Sequence, residues 1–95
     1  MNIDIFKAEI APYLTGCELQ YRSFSNGDFG DLERIEFEKG DKFGTVDLWS
    51  TGWMGVDVYD SALEAQLINI LLGPDELEQQ NKTIEDLLRV LEVNK

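Results

Sequence analysis

With 95 residues, the chain has room for one domain with a single core that needs neither metal nor disulfide to hold it. It carries 19 Asp and Glu against 8 Lys and Arg, a net charge of −11, so its field repels phosphate backbones and anionic lipid surfaces and attracts basic proteins. Histidine is absent, which removes the usual acid/base agent near neutral pH, while an apolar content of 43% with Trp, Phe and Tyr present sets the chain apart from a disordered acidic tail.

Residues 1–95 are therefore expected to form a single α+β domain. Ile3, Phe6, Ile10, Tyr13 and Leu14 recur at helical spacing, with Asn2 placed to cap the first turn. Pro12 disfavours α geometry at Ala11, so this helix ends or bends before Thr15 and Gly16. Cys17, Leu19 and Tyr21 then alternate with Glu18, Gln20 and Arg22, the pattern of a half-buried strand over Cys17 to Phe24. Asn26, Gly27, Asp28 and Gly30 predict a loop.

Alternation resumes from Leu32 to Glu38, with Ile35 and Phe37 on one side and Arg34, Glu36 and Glu38 on the other. A turn centred on Gly40 and Asp41 leads into Phe43 to Trp49, with Val46 and Leu48 inward. Ser50, Thr51 and Gly52 form the next turn, and Trp53 to Tyr59 follows with Met54, Val56 and Val58 inward. Over residues 61–72 the pattern is ambiguous. Ser61 and Glu64 resemble a capping box and favour a helix ended by Gly73 and Pro74, whereas the dense run Leu67 to Leu72 also fits a buried strand. Thr83 is expected to cap a final helix with Ile84, Leu87, Leu88 and Leu91 on its apolar stripe. The expected fold is a four-stranded antiparallel meander sheet flanked by N-terminal and C-terminal helices.

Cys17 stands alone, which excludes a disulfide or multi-cysteine metal site within one chain and suits a reducing cytoplasm. Its alternating neighbours mark it as a small buried hydrophobe. Asp4 and Glu9 occupy the region where a signal peptide carries positive charge, and no run approaches the ~20 apolar residues of a membrane span. The expected location is cytoplasmic.

Serines 23, 25, 50 and 61 have no histidine to activate them, and neither a phosphate-cradling glycine loop nor a calcium-loop spacing of acids is present. The expectation is a protein without enzymatic activity, cofactor or metal. The second face of the predicted sheet gathers carboxylates beside aromatic rings. Rigid aromatic area and desolvated carboxylates together suit a basic protein partner. Glu36, Asp47, Trp49, Trp53, Asp57 and Tyr59 are the expected contact residues. An alternative places Trp49 and Trp53 in a core beneath helices, with the acids around its rim.

The segment from Asp47 to Asp60, DLWSTGWMGVDVYD, looks like a hairpin of small bacterial proteins. With the size and acidity of the chain, it resembles the immunity proteins of bacterial toxin systems. That resemblance implies a small cytoplasmic inhibitor that binds a cognate toxin, often a nuclease, and obstructs its active site or substrate groove; it transfers no contact residues. The competing expectation is a structural or adaptor domain that self-associates through its sheet, so both a monomer and a homodimer remain open.

Overall fold

The computed structural model describes residues 1–93. Five strands form one antiparallel sheet in the order β1-β2-β3-β4-β5: β1 Glu18–Gly27, β2 Gly30–Lys39, β3 Lys42–Trp49, β4 Met54–Asp60 and β5 Ala65–Leu72. The chain enters through a short α1, Ile3–Ile5, which widens into a π turn over Phe6–Ile10 and tightens into a 3₁₀ turn over Ala11–Tyr13. It leaves through α2, Leu77–Val90.

Each turn follows from its residues. Asn2 caps α1 by accepting the Ile5 N–H on its Oδ1 at 2.9 Å, and Pro12 sits in the 3₁₀ turn, where its missing donor is tolerated. β1 and β2 meet at Gly27 and Gly30, leaving only Asp28 and Phe29 between them, so the predicted loop is a tight hairpin. Gly40, at φ +60°, supplies the left-handed angle for the two-residue turn between Lys39 and Lys42.

The sheet has a fifth strand because residues 65–72 do not form the helix favoured by their local pattern. Asp60 Oδ1 accepts the N–H groups of Ala62 and Leu63, turning the chain sharply, and Glu64 takes a left-handed φ of 51°. Ser61, read as half of a capping box, instead donates its hydroxyl to the Asp41 carbonyl. β5 then pairs with β4 from Asp60↔Ala65 to Met54↔Leu72. The deciding term is non-local: β4 offers an unpaired edge whose peptide groups need partners, and the run Leu67–Leu72 supplies them.

α2 also begins earlier than Thr83. Its first turns are polar, but Gln80 lies four residues before Ile84 and is buried on the same stripe as Ile84, Leu87 and Leu88. Thr83 is a buried residue inside the helix rather than its cap.

One core cluster collects Phe6, Ile10 and Leu14 from the N-terminal turns and Ile84, Leu87, Leu88 and Leu91 from the C-terminal segment. They meet Ile35, Phe37, Val46, Leu48, Met54, Val56, Val58 and Leu72 of the sheet. Those sheet residues share one face, since Ile35 pairs with Val46 and Val46 with Val56. Both helical segments therefore pack on the same side. Among the described residues, the other side of the sheet contributes nothing to the core cluster. Among the described residues, no helix is long and apolar enough to cross a membrane.

Candidate functional site

The helix-free face is a ladder of four cross-strand rows fixed by the register. The first is Glu18↔Glu38↔Phe43↔Tyr59, and the second Gln20↔Glu36↔Thr45↔Asp57↔Asn69. The third is Arg22↔Arg34↔Asp47↔Gly55↔Leu71, and the fourth Phe24↔Leu32↔Trp49. Five of the six expected contact residues, Glu36, Asp47, Trp49, Asp57 and Tyr59, share this face. Trp53 lies just before β4, beyond the end of the ladder.

The two tryptophans belong to an aromatic group at that end. Phe29, from the β1-β2 turn, stacks on Trp53 at 4.6 Å with planes 12° apart and meets Trp49 edge-on at 5.5 Å. Neither indole is part of the core cluster, and both are half-buried. Trp49 also spreads across Gly55, where a Cβ would lie 3.5 Å from its ring. That separation is an ordinary contact distance, so the indole lies over the glycine without requiring one. Trp49 and Trp53 are thus braced by neighbours on the chain itself, which leaves them partly available for contact.

All three expected carboxylates already have partners, two of them cationic. Arg34 forks onto Asp47, Nε to Oδ1 at 2.7 Å and Nη2 to Oδ2 at 3.1 Å, while its guanidinium lies over the Phe24 ring. The hydrogen bond to Asp47 is the main cause holding Arg34 above its ordinary pKa, so it stays charged. Arg22 bonds Glu36 at 2.9 Å. Asp57 accepts from Gln66 Nε2. Glu18 and Glu38, directly opposite one another, have no cationic partner among the described residues, and like charges so placed destabilise a sheet.

The exposed apolar groups on this face are mostly not the tryptophans. Phe43 is 47% exposed, Leu71 50% and Phe24 45%, and Phe43 leans on Tyr59 at 5.6 Å. Phe43 shares the parity of Thr45 and Asp47, so alternation could have identified it. Leu71 was hidden by the helical reading of its segment. Between Arg34, Asp47, Trp49, Asp57 and Leu71 runs a shallow depression of about 380 Å³.

In chemical terms, the face offers two arginine–carboxylate pairs at its centre, exposed rings toward its ends and unanswered acids at the Glu18–Glu38 end. No family model matches the chain, and neither a curated protein nor a solved structure matches it.

Proposed function

We propose that this chain is an acidic binding protein of the immunity kind, a cytoplasmic inhibitor of a basic toxin. It would lay the helix-free face of its sheet over the toxin's active site. The observation that carries this reading is that face itself: a whole side of the sheet is left uncovered, with Phe43, Tyr59 and Leu71 set among Glu18, Glu38 and Asp57. A protein that cleaves nucleic acid engages phosphates through arginine and lysine, and carboxylates on a rigid sheet can occupy the same groups. Exposed rings beside them supply desolvated area at low entropic cost. A nuclease is accordingly the favoured target.

Binding is carried by the rows whose acids are free to change partner. Asp47→Lys is a poor probe because it would set a lysine against Arg34 inside the sheet. Glu38→Lys combined with Asp57→Lys reverses two charges on exposed side chains. The test is calorimetric titration against the basic C-terminal domain of a large secreted protein encoded beside this chain's gene. Tight binding is expected that weakens as salt rises, and the double variant should lose at least about 100-fold in affinity, about 3 kcal/mol. Glu85→Lys, on α2, should leave affinity within about threefold. Equal affinity for the wild type and the double variant would remove this face from the interface.

A further inference from the structure

The two edges of the sheet are built differently. β1 carries Glu18 and Arg22 along its length, ends in a bulge between Phe24 and Gly27, and has Lys7 of the N-terminal turns seated over Tyr21 at 4.7 Å. Charge and irregularity of this kind discourage strand addition. β5 has its own register shift against β4, between Val58 and Tyr59, but none of these charges. From Ala65 to Pro74 the chain holds no charged residue, although its net charge is −11. Ile70 is 38% exposed and Leu71 50%, so β5 presents large apolar side chains along an open edge.

We infer that β5 pairs antiparallel with β5 of a second copy of this chain, about a two-fold axis at Asn69. The backbone directions limit the register to those that set Asn69 and Leu71 toward the second copy, and an axis at Asn69 centres the pair within the uncharged run Ala65 to Pro74. A Cβ on Gly44 would strike the Asp57 carbonyl, so that carbonyl points toward β3; by alternation the Val58 carbonyl points toward β5, where Gln66 Nε2 bonds it at 3.0 Å. Ile68, opposite Val58, therefore turns its peptide groups inward, and Asn69 and Leu71 turn theirs to the open side.

Pairing Asn69 with its own copy uses these outward groups. It sets Leu71 opposite the second copy's Leu67 and Ile70 opposite its Ile68. The side-chain amides of the two Asn69 residues meet on the helix-free face. The axis runs perpendicular to the sheet, so the helix-free faces of both copies continue as one surface.

Charge selects a second copy over a basic partner at this edge, because β5 has no acid with which to hold a cation. Among the described strands it is the one that carries no acid, so two strongly acidic molecules meet along it without setting carboxylate against carboxylate. Only the ends conflict: Glu64 approaches Asp75 of the other copy. A single strand pair is a small interface, of the class below about 1,200 Å² that gives weak association. Salt distinguishes this association from toxin binding, since screening strengthens contact between like-charged molecules and weakens contact between opposite ones. The inference concerns the edge alone and stands or falls separately from the function proposed for the face.

Sedimentation equilibrium on the full chain, from about 1 μM to about 1 mM, tests it. The expected result is a shift from monomer to dimer mass with rising concentration, tightened at least about threefold between 0.05 and 0.5 M NaCl. Asn69→Lys puts two ammonium groups across the axis on an exposed side chain and should keep the chain monomeric throughout. Leu71→Lys should weaken the dimer at least about tenfold. Hydrogen exchange supplies a positional readout, in which the Asn69 and Leu71 amides slow as concentration rises while those of β1 do not. A chain that stays monomeric at 1 mM overturns the inference, as does a dimer that persists in Asn69→Lys or one that leaves the Asn69 and Leu71 amides exchanging freely.

Discussion

Gly44 and Gly55 both interrupt strands, yet their surroundings predict opposite responses to one added methyl group. At Gly44 a Cβ would run into the backbone carbonyl of Asp57 and come within 3.0 Å of the Phe37 ring, and a ladder carbonyl cannot step aside. Gly44→Ala should cost about 3 kcal/mol, seen as a lower urea midpoint. At Gly55 the nearest atoms are the Trp49 ring at 3.5 Å and Asp47 Cβ at 3.7 Å, ordinary contact distances. Gly55→Ala should stay within about 0.5 kcal/mol, and a large loss there would mean that the indole lies closer to the sheet than described. Cys17 responds to its environment in another way. Burial pushes its thiol pKa up, opposed in part by the charge of Lys39. A raised folded pKa favours the neutral thiol, so its contribution to stability is complete below the ordinary thiol range and is lost as pH rises through the raised value. The matching kinetic expectation is that at pH 8 Cys17 reacts with a disulfide reagent more slowly than free cysteine does, and that urea abolishes the difference.

Gln80 joins two connections that the ladder does not hold together. Its Nε2 donates to the Gly52 carbonyl in the β3-β4 turn at 3.1 Å and to the Gly73 carbonyl between β5 and α2 at 2.8 Å. The side chain is 2% exposed, and its Oε1 has no partner among the described residues. Gln80→Met keeps the volume but leaves two carbonyls without that donor. It should cost about 2 kcal/mol in a thermal or urea melt and speed amide exchange in the Gly52 and Gly73 turns. Loss of stability with both turns unchanged would mean that packing, not bridging, is what Gln80 contributes. The same residue shows why part of the fold was readable from local pattern and part was not. β2, β3 and β4 alternate cleanly because one face is in the core and the other is open. The Gly40-Asp41 turn carries its own chemistry, and Asn2 is a local cap. α2 was placed too late because a buried glutamine, justified only by carbonyls 28 and 7 residues away, breaks the apolar stripe. β5 is ambiguous in sequence for a related reason: Leu67–Leu72 suits either period, and the partner that decides between them is β4. That Glu36, Asp47, Trp49, Asp57 and Tyr59 share one face followed from strand parity. The internal pairing of Asp47 with Arg34 and of Glu36 with Arg22 depends on the register between strands, which alternation within one strand does not specify.

The charge of the entire chain also sets its stability, and the sign can be decided by length. The molecule spans 35 × 27 × 25 Å. At 0.01 M salt the Debye length is about 30 Å, so nearly every carboxylate acts on every other; at 0.5 M it is only about 4 Å, and only adjacent groups still interact. Screening therefore relieves the self-repulsion of a chain at −11. It also weakens the ion pairs of the described residues, Arg22–Glu36, Arg34–Asp47, Lys82–Asp86 and Arg89–Asp86. Three of these are exposed, and such pairs contribute at most about 1 kcal/mol each, whereas 19 acids against 8 bases leave most of the negative charge unanswered. Repulsion should win, and Tm should climb by roughly 5 °C between 0.01 and 0.5 M NaCl, with the steepest rise below 0.1 M, where the Debye length shrinks fastest. Chloride is the right anion because sulfate stabilises folds irrespective of their charge. A protein concentration near 1 μM keeps association at β5 from contributing to the shift. A Tm that falls with salt would mean that the ion pairs on the sheet and on α2 outweigh the net charge. In that case the paired arginines, rather than the surplus carboxylates, would govern how the open face meets a partner.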